Sequence, residues 1–177
     1  MFAANTLEDP YTALRLAPHL EHSIRILGPD HPQTLTTRNN LASAYQAAGD
    51  LNQAIPLYQA TLTDTERVLG PDHPQTLTTR NNLASAYESA GDLNQAIPLF
   101  QATLTDRERV LGPDHRDTLA SRNNLAYAYR AAGDLNQAIR LFEAACEDAT
   151  RILGVSHPTT KVICGNLAEA RRSRSQG

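Results

Sequence analysis

Residues 27–68 read LGPDHPQTLTTRNNLASAYQAAGDLNQAIPLYQATLTDTERV, and the chain then says nearly the same again. Aligned with each other, residues 28–69 and 70–111 differ at four of 42 positions: Gln46/Glu88, Ala47/Ser89, Tyr58/Phe100 and Thr65/Arg107. A third copy, with more drift, covers residues 112–153, and LGVSHPTTKVICGNLAEA from Leu153 opens a fourth. At the other end, Thr12 to Leu27 fall under Ala54 to Leu69, the second half of a unit. A fixed internal period decides architecture before any single residue is weighed.

Within one unit, DHPQTL is a helix start. Proline suits the first turn because its missing N–H would be unpaired there anyway, and Pro32 pushes His31 out of the α region, as a cap residue requires. The helix is expected to run to about Ala48. Leu35, Leu41, Ala42, Tyr45 and Ala48 recur at helical spacing, while Thr36, Asn39, Ser43 and Gln46 form a separate polar stripe. Gly49 ends this helix, since a left-handed residue without Cβ closes a helix with least strain. Asp50 and Gln53 fit a capping box for the next one, whose apolar side is read as Leu51, Ala54, Ile55, Tyr58, Leu62 and Val68. Pro56 and Pro98 lie inside this second helix, where each removes a backbone bond and is expected to bend the axis; Arg140 stands there in the third copy.

A helix pair of this length cannot bury its own apolar faces, so neighbouring pairs must stack. The chain therefore reads as a single array: a partial repeat holding a second-type helix (1–27), full repeats at 28–69, 70–111 and 112–153, and a closing first-type helix with a polar tail (154–177). Eight helices are expected.

Composition agrees with a folded chain in water: 41% hydrophobic residues and a mean hydropathy of −0.42. The formal charge of −3 arises without any block of one sign, which leaves no electrostatic footprint for nucleic acid or an anionic membrane. The start, MFAANTLEDPYTALRL, lacks the pattern of a signal peptide, and no window approaches the ~20 apolar residues of a membrane span. A cytoplasmic location is the expectation. One lysine, Lys161, beside fifteen arginines makes a high-GC bacterial genome the expectation. Cys146 and Cys164 are too few for a disulfide framework or a zinc site, and Cys146, standing where Leu62 and Leu104 do, reads as a small buried apolar residue.

NNLASAYQAAGDLNQAIPLY resembles the tetratricopeptide repeat in its Leu41, Ala42, Tyr45, Gly49, Ala54 and Tyr58. The 42-residue unit with GPDHP, RNNLA and QAIPL is similar to the kinesin light chain type rather than to the usual 34-residue form. Arg38, Arg80 and Arg122 stand where the general pattern has tryptophan. The resemblance implies an all-α, right-handed superhelical solenoid of stacked antiparallel helix pairs, whose first helices line a concave groove for an extended peptide. It also implies that the first Asn of NNLA contributes to that groove, here Asn39, Asn81 and Asn123.

The polar stripe selects the same residues, with Ser43, Ser85 and Tyr127 one turn on and Gln46, Glu88 and Arg130 after those. An amide suits the task because it can donate to and accept from a peptide backbone. Asn40, Asn82, Asn124 and Asn166 are expected to brace adjacent helices instead. Gly165 takes the first-Asn place in the last helix, where the groove is expected to end. Variation among the copies gives the groove an acidic centre at Glu88 and a basic, aromatic end at Tyr127 and Arg130. The expected ligand has a positive residue facing the first and an acidic or aromatic one toward the second.

His31, His73, His115 and His157 recur at the repeat period, but equivalent positions on stacked repeats are too far apart to share a metal, so they read as helix-start residues. His19 and His22 share one face without a third ligand. No phosphate loop, HExxH, GxSxG or CxxC is present, and paired acids such as Asp64 and Glu66 have no spacing suited to acid–base work. The expectation is no enzyme, no cofactor and no metal. RRSRSQG reads as a solubilising tail. The leading function is a protein-interaction module holding a protein segment or linear peptide. Two alternatives stand beside it: a scaffold that self-associates head to tail through its terminal helices, with Arg171 and Arg172 counting against it as charged caps, and the sensor part of a larger signalling ATPase.

Overall fold

The computed structural model describes residues 12–176, which form eight helices and no strand. In chain order they are α1 (Thr12–Leu27), α2 (Pro32–Ala47), α3 (Leu51–Leu69), α4 (Pro74–Ser89), α5 (Leu93–Leu111), α6 (Arg116–Ala131), α7 (Leu135–Leu153) and α8 (Pro158–Gln176). They gather into two compact units, α1–α4 and α5–α8. In the first, α2 packs between α1 and α3, and α3 packs on α4; in the second, α6 packs between α5 and α7, and α7 on α8.

The helix ends follow from local chemistry. His31, His73, His115 and His157 each accept a hydrogen bond at Nδ1 from the backbone N–H two residues on, at 3.1 to 3.2 Å. These imidazoles act as N-caps, satisfying a donor that the helix cannot. Asp50, Asp92 and Asp134 do the same for Gln53, Gln95 and Gln137 at 3.0 to 3.2 Å. The second-type helices run unbroken through Pro56 and Pro98, both exposed. Each second-type helix then stops at a glycine such as Gly112, with φ 88° and ψ 161°, a region open essentially to glycine alone. A Cβ built there would meet nothing within 4 Å. Gly112→Ala is therefore expected to lose about 1–3 kcal/mol from backbone strain without any clash, measurable as a lower urea midpoint at unchanged m.

The core differs from the apolar reading of the sequence at Ala48, which is exposed, and along the second-type helix. Leu35, Ala42, Ala54 and Tyr58 are buried as expected, but Val68 is 36% exposed, while Thr61 and Thr65 are fully buried. The threonines return their hydroxyls to their own helix, Thr61 to the Leu57 carbonyl at 2.7 Å and Thr65 to the Leu62 carbonyl at 3.0 Å. Once its hydroxyl is satisfied in this way, threonine packs as a small apolar side chain. At the Thr65 position the second copy has Arg107, still buried, donating to the Ser121 hydroxyl at 2.8 Å and the Asp117 carbonyl at 3.1 Å.

The cysteines require a correction. Cys146 on α7 and Cys164 on α8 form a disulfide, with Cα atoms 5.0 Å apart. Counting and spacing missed the pair because neither cysteine repeats: the preceding copy has Leu104 and Arg122 in those two places. Only the antiparallel packing of α7 on α8 brings positions 18 residues apart together.

Candidate functional site

The sequence-selected polar residues fall into two groups, one in each unit. On the first, Ser43 and Gln46 of α2 and Asn81 and Ser85 of α4 line one depression of about 410 Å³ together with Ala47, Tyr58, Asn82 and Ser89. A neighbouring depression of about 320 Å³ is lined by Thr36, Asn39 and Asn40 of α2 and by Pro74, Gln75, Thr78 and Thr79 at the start of α4. Every one of these linings is uncharged. The successive turns of two neighbouring first-type helices therefore share one polar surface, set by the 3.6-residue period.

Hydrogen bonds decide what this surface offers. Gln46 spends its amide within the unit: its nitrogen donates to Ser85 at 3.2 Å and Ser89 at 3.3 Å, and its oxygen accepts from the Tyr58 hydroxyl at 3.3 Å. It therefore positions α2, α3 and α4 against one another. Asn82 donates to the amide oxygen of Asn39 at 3.4 Å, and in the second unit Asn166 donates to that of Asn123 at 3.2 Å. Asn82 and Asn166 thus brace, and they do so through first asparagines. With the oxygens of Asn39 and Asn123 engaged, what each amide can offer a ligand is its NH2 donor.

In the second unit, charge and an aromatic ring replace the neutral groups. Tyr127 meets Phe142 edge-on, with centroids 5.4 Å apart, and the Arg130 guanidinium lies 4.7 Å from the Tyr127 ring centre. Arg130 also pairs with Glu169 of α8 at 3.2 Å. This ion pair occupies the place that Gln46 and Ser85 hold in the first unit. Glu88 lies on α4, half-buried. Gly165 lies on α8, and a Cβ built there would meet nothing within 4 Å.

The arginines in the tryptophan places, which sequence reading left without a role, hold the helices together. Arg38 pairs with Asp64 at 2.5 Å and Arg80 with Glu66 at 3.2 Å; Arg122 bridges Asp148 and Glu108. The pattern continues outward, since Arg67 joins Asp64 to Asp30 and Arg151 joins Asp148 to Asp114. The hydrogen bond from Arg67 holds the Asp30 carboxyl below the usual carboxylate range, and Arg151 does the same for Asp114. A carboxyl depressed in the folded state contributes stability above its unfolded pKa of about 3.9 and loses it as pH falls through the lower folded value. The Tm difference between the wild type and Arg151→Gln should accordingly be constant above about pH 5 and close below about pH 4. A difference that persists undiminished into that acid range would show that the pair contributes no charge-linked stability.

Further partners are tied at the outer edge. Gln59 donates to the Tyr87 hydroxyl at 2.6 Å and Gln101 to Tyr129 at 2.5 Å; in the last such place the pair becomes Glu143 and Arg171, at 2.7 Å. Among the described residues no group of three or more His, Cys, Asp or Glu side chains is placed to hold a metal ion, and no helix is long and apolar enough to cross a membrane.

A family model, the tetratricopeptide repeat, matches residues 15–64, 39–107 and 80–151. The chain is similar to the nearly identical repeats of a kinesin light chain-like protein of Podosopora anserina. Against one crystal structure of it the identity is 27% and the TM-score 0.81, over 93% of this chain and 77% of that one. Against a second the values are 28% and 0.79, over 93% and 78%. BtubC of P. vanneervenii shares the fold at 19% identity and a TM-score of 0.79, over 90% of this chain and 64% of its own. No curated protein matches the chain in sequence.

Proposed function

The chain belongs to the tetratricopeptide repeat family, a fold of protein-interaction modules, and we propose that it binds an extended segment of a protein partner along the polar faces of its first-type helices. The observation that carries this reading is the orientation of Asn39 and Asn123. Each has its oxygen engaged by the second asparagine of the neighbouring repeat, which supports a role for its NH2 as a donor to backbone carbonyls, which every peptide has. Around Asn39 and Asn81 the uncharged walls suit a backbone and small side chains. Around Asn123, Tyr127 and Arg130 supply an aromatic, basic element partly balanced by Glu169, which suits an acidic or aromatic residue of the ligand.

A positional library of 12-residue peptides, read by fluorescence anisotropy, tests the proposal. Enrichment of a defined sequence is expected. The variant carrying Asn39→Ala, Asn81→Ala and Asn123→Ala should weaken its binding about tenfold or more, since each lost hydrogen bond is worth about 0.5–1.5 kcal/mol. Charge-reversed versions of the enriched peptides should bind more weakly than the originals. Equal binding by the variant and wild type would sink the groove.

Head-to-tail self-association is the weaker reading because of Lys161. Leu35, Leu77 and Leu119 are 0–1% exposed at the equivalent place on α2, α4 and α6, whereas Lys161 lies on the open side of α8. Covering it with another copy would take an ammonium group out of water.

A further inference from the structure

We propose that Cys146 and Cys164 form a reversible redox latch that governs the docking of α8. The last helix is attached differently from its counterparts. On α6, Leu119 is buried and Arg122 is anchored to Glu108 and Asp148. On α8 the same two places hold exposed Lys161 and Cys164. Two of the attachments that secure α6 are thus missing, and a covalent bond to α7 stands in their place. The other attachments include an apolar seam of Ile163, Leu167 and Ala170, the buried Thr160 hydroxyl on the Ala149 carbonyl at 3.1 Å, and the Asn166–Asn123, Glu169–Arg130 and Arg171–Glu143 contacts. Both cysteines are half-buried rather than sealed in the core.

Reduction proceeds by exchange with an external dithiol. One thiolate of the reductant attacks one Sγ, and the other Sγ departs as a thiolate. The second thiol of the reductant then resolves the mixed disulfide, leaving two protein thiols and an oxidised reductant, with two electrons and two protons transferred. A small disulfide such as oxidised glutathione runs the reaction backwards. In a reducing compartment such as the cytoplasm expected from the sequence, the pair rests as thiols until an oxidant arrives. Opening the latch restores the conformational freedom that the cross-link removes, so α8 detaches more often. Each detachment takes Asn166 from Asn123 and Glu169 from Arg130. Insofar as those residues bind a ligand, which rests on the function proposed above, the redox state also sets binding on the second unit.

The test reads α8 itself and needs no ligand. Tryptic mapping of the full chain after treatment with oxidised glutathione should yield the peptides 141–151 and 162–171 as one linked species. Hydrogen exchange is then compared between the oxidised chain and the chain reduced with dithiothreitol. Amides of α8 should exchange roughly 30-fold or more faster when reduced, with α2 and α3 unchanged, and reoxidation should restore protection. The double variant Cys146→Leu, Cys164→Ser should show no response to dithiothreitol. Failure to form the linked peptide, equal α8 protection in both states, or a dithiothreitol response in the double variant would each overturn the latch.

Discussion

Phe142→Ala is expected to lower the unfolding free energy by about 3–5 kcal/mol, the range for deleting a large aromatic side chain from a closed core. Phe142 is fully buried on α7, in a cluster with Ala126, Ile139, Leu167 and Ala170. Alanines at 126, 138 and 170 already draw the helices close, so the close-packed walls have little freedom to move into the cavity. The edge-on contact with Tyr127 is lost as well, worth about 0.5–1.5 kcal/mol beyond area. Equilibrium urea unfolding should show the loss, and Phe142→Tyr provides the control. Tyr58 already occupies the equivalent place, and where its hydroxyl donates to Gln46 the second unit has Arg130, a donor from which the added oxygen can accept, so the cost should stay below about 1.5 kcal/mol. A tyrosine variant as unstable as the alanine variant would mean that the site cannot tolerate a polar tip.

Leu119→Lys should cost about 3–5 kcal/mol, through a lost apolar side chain and a desolvated ammonium group. Leu119 is 1% exposed and packs against Ala145, Ala149 and Ile163. The adjoining cleft of about 220 Å³, lined by Leu119 with Arg116, Ala120, Leu153, His157 and Thr159, gives the long side chain a route outward past two basic residues. That route keeps the penalty below the cost of a trapped charge. The reciprocal change, Lys161→Leu, should alter stability by no more than about 0.5 kcal/mol, because its position on α8 faces solvent. The two substitutions exchange the same residue types at the same repeat position. Comparable destabilisation by both would show that repeat register, rather than local burial, controls the outcome.

The helix boundaries were legible because their causes are local. A cap histidine needs a partner two residues on, a cap aspartate one three residues on, and a glycine needs only its own backbone. The bracing role of Asn82 and Asn166 was legible too. That the first asparagines are themselves the acceptors was not, since Asn39 and Asn82 are 43 residues apart. Gln46 belongs to the polar stripe by period, yet its amide is consumed by Ser85, Ser89 and Tyr58. A helical wheel cannot reveal that, because it has no neighbours. The arginines at the tryptophan places looked like a departure from pattern and proved to be anchors, through carboxylates 14 and 26 residues away.

Period, caps and the alternation of two helix types belong to the sequence by itself. Each is written within one 42-residue copy or in the identity of successive copies, and the physics that reads it acts over a few residues of chain. Tertiary structure alone decided which near-identical positions became different. Thr65 and Arg107 are both buried by different hydrogen bonds, Leu119 is buried where Lys161 is solvated, and Leu104 and Arg122 give way to a disulfide. Those outcomes depend on whether another helix covers a face and which side chains it brings, and burial of that kind is a property of the packed neighbour rather than of the residue.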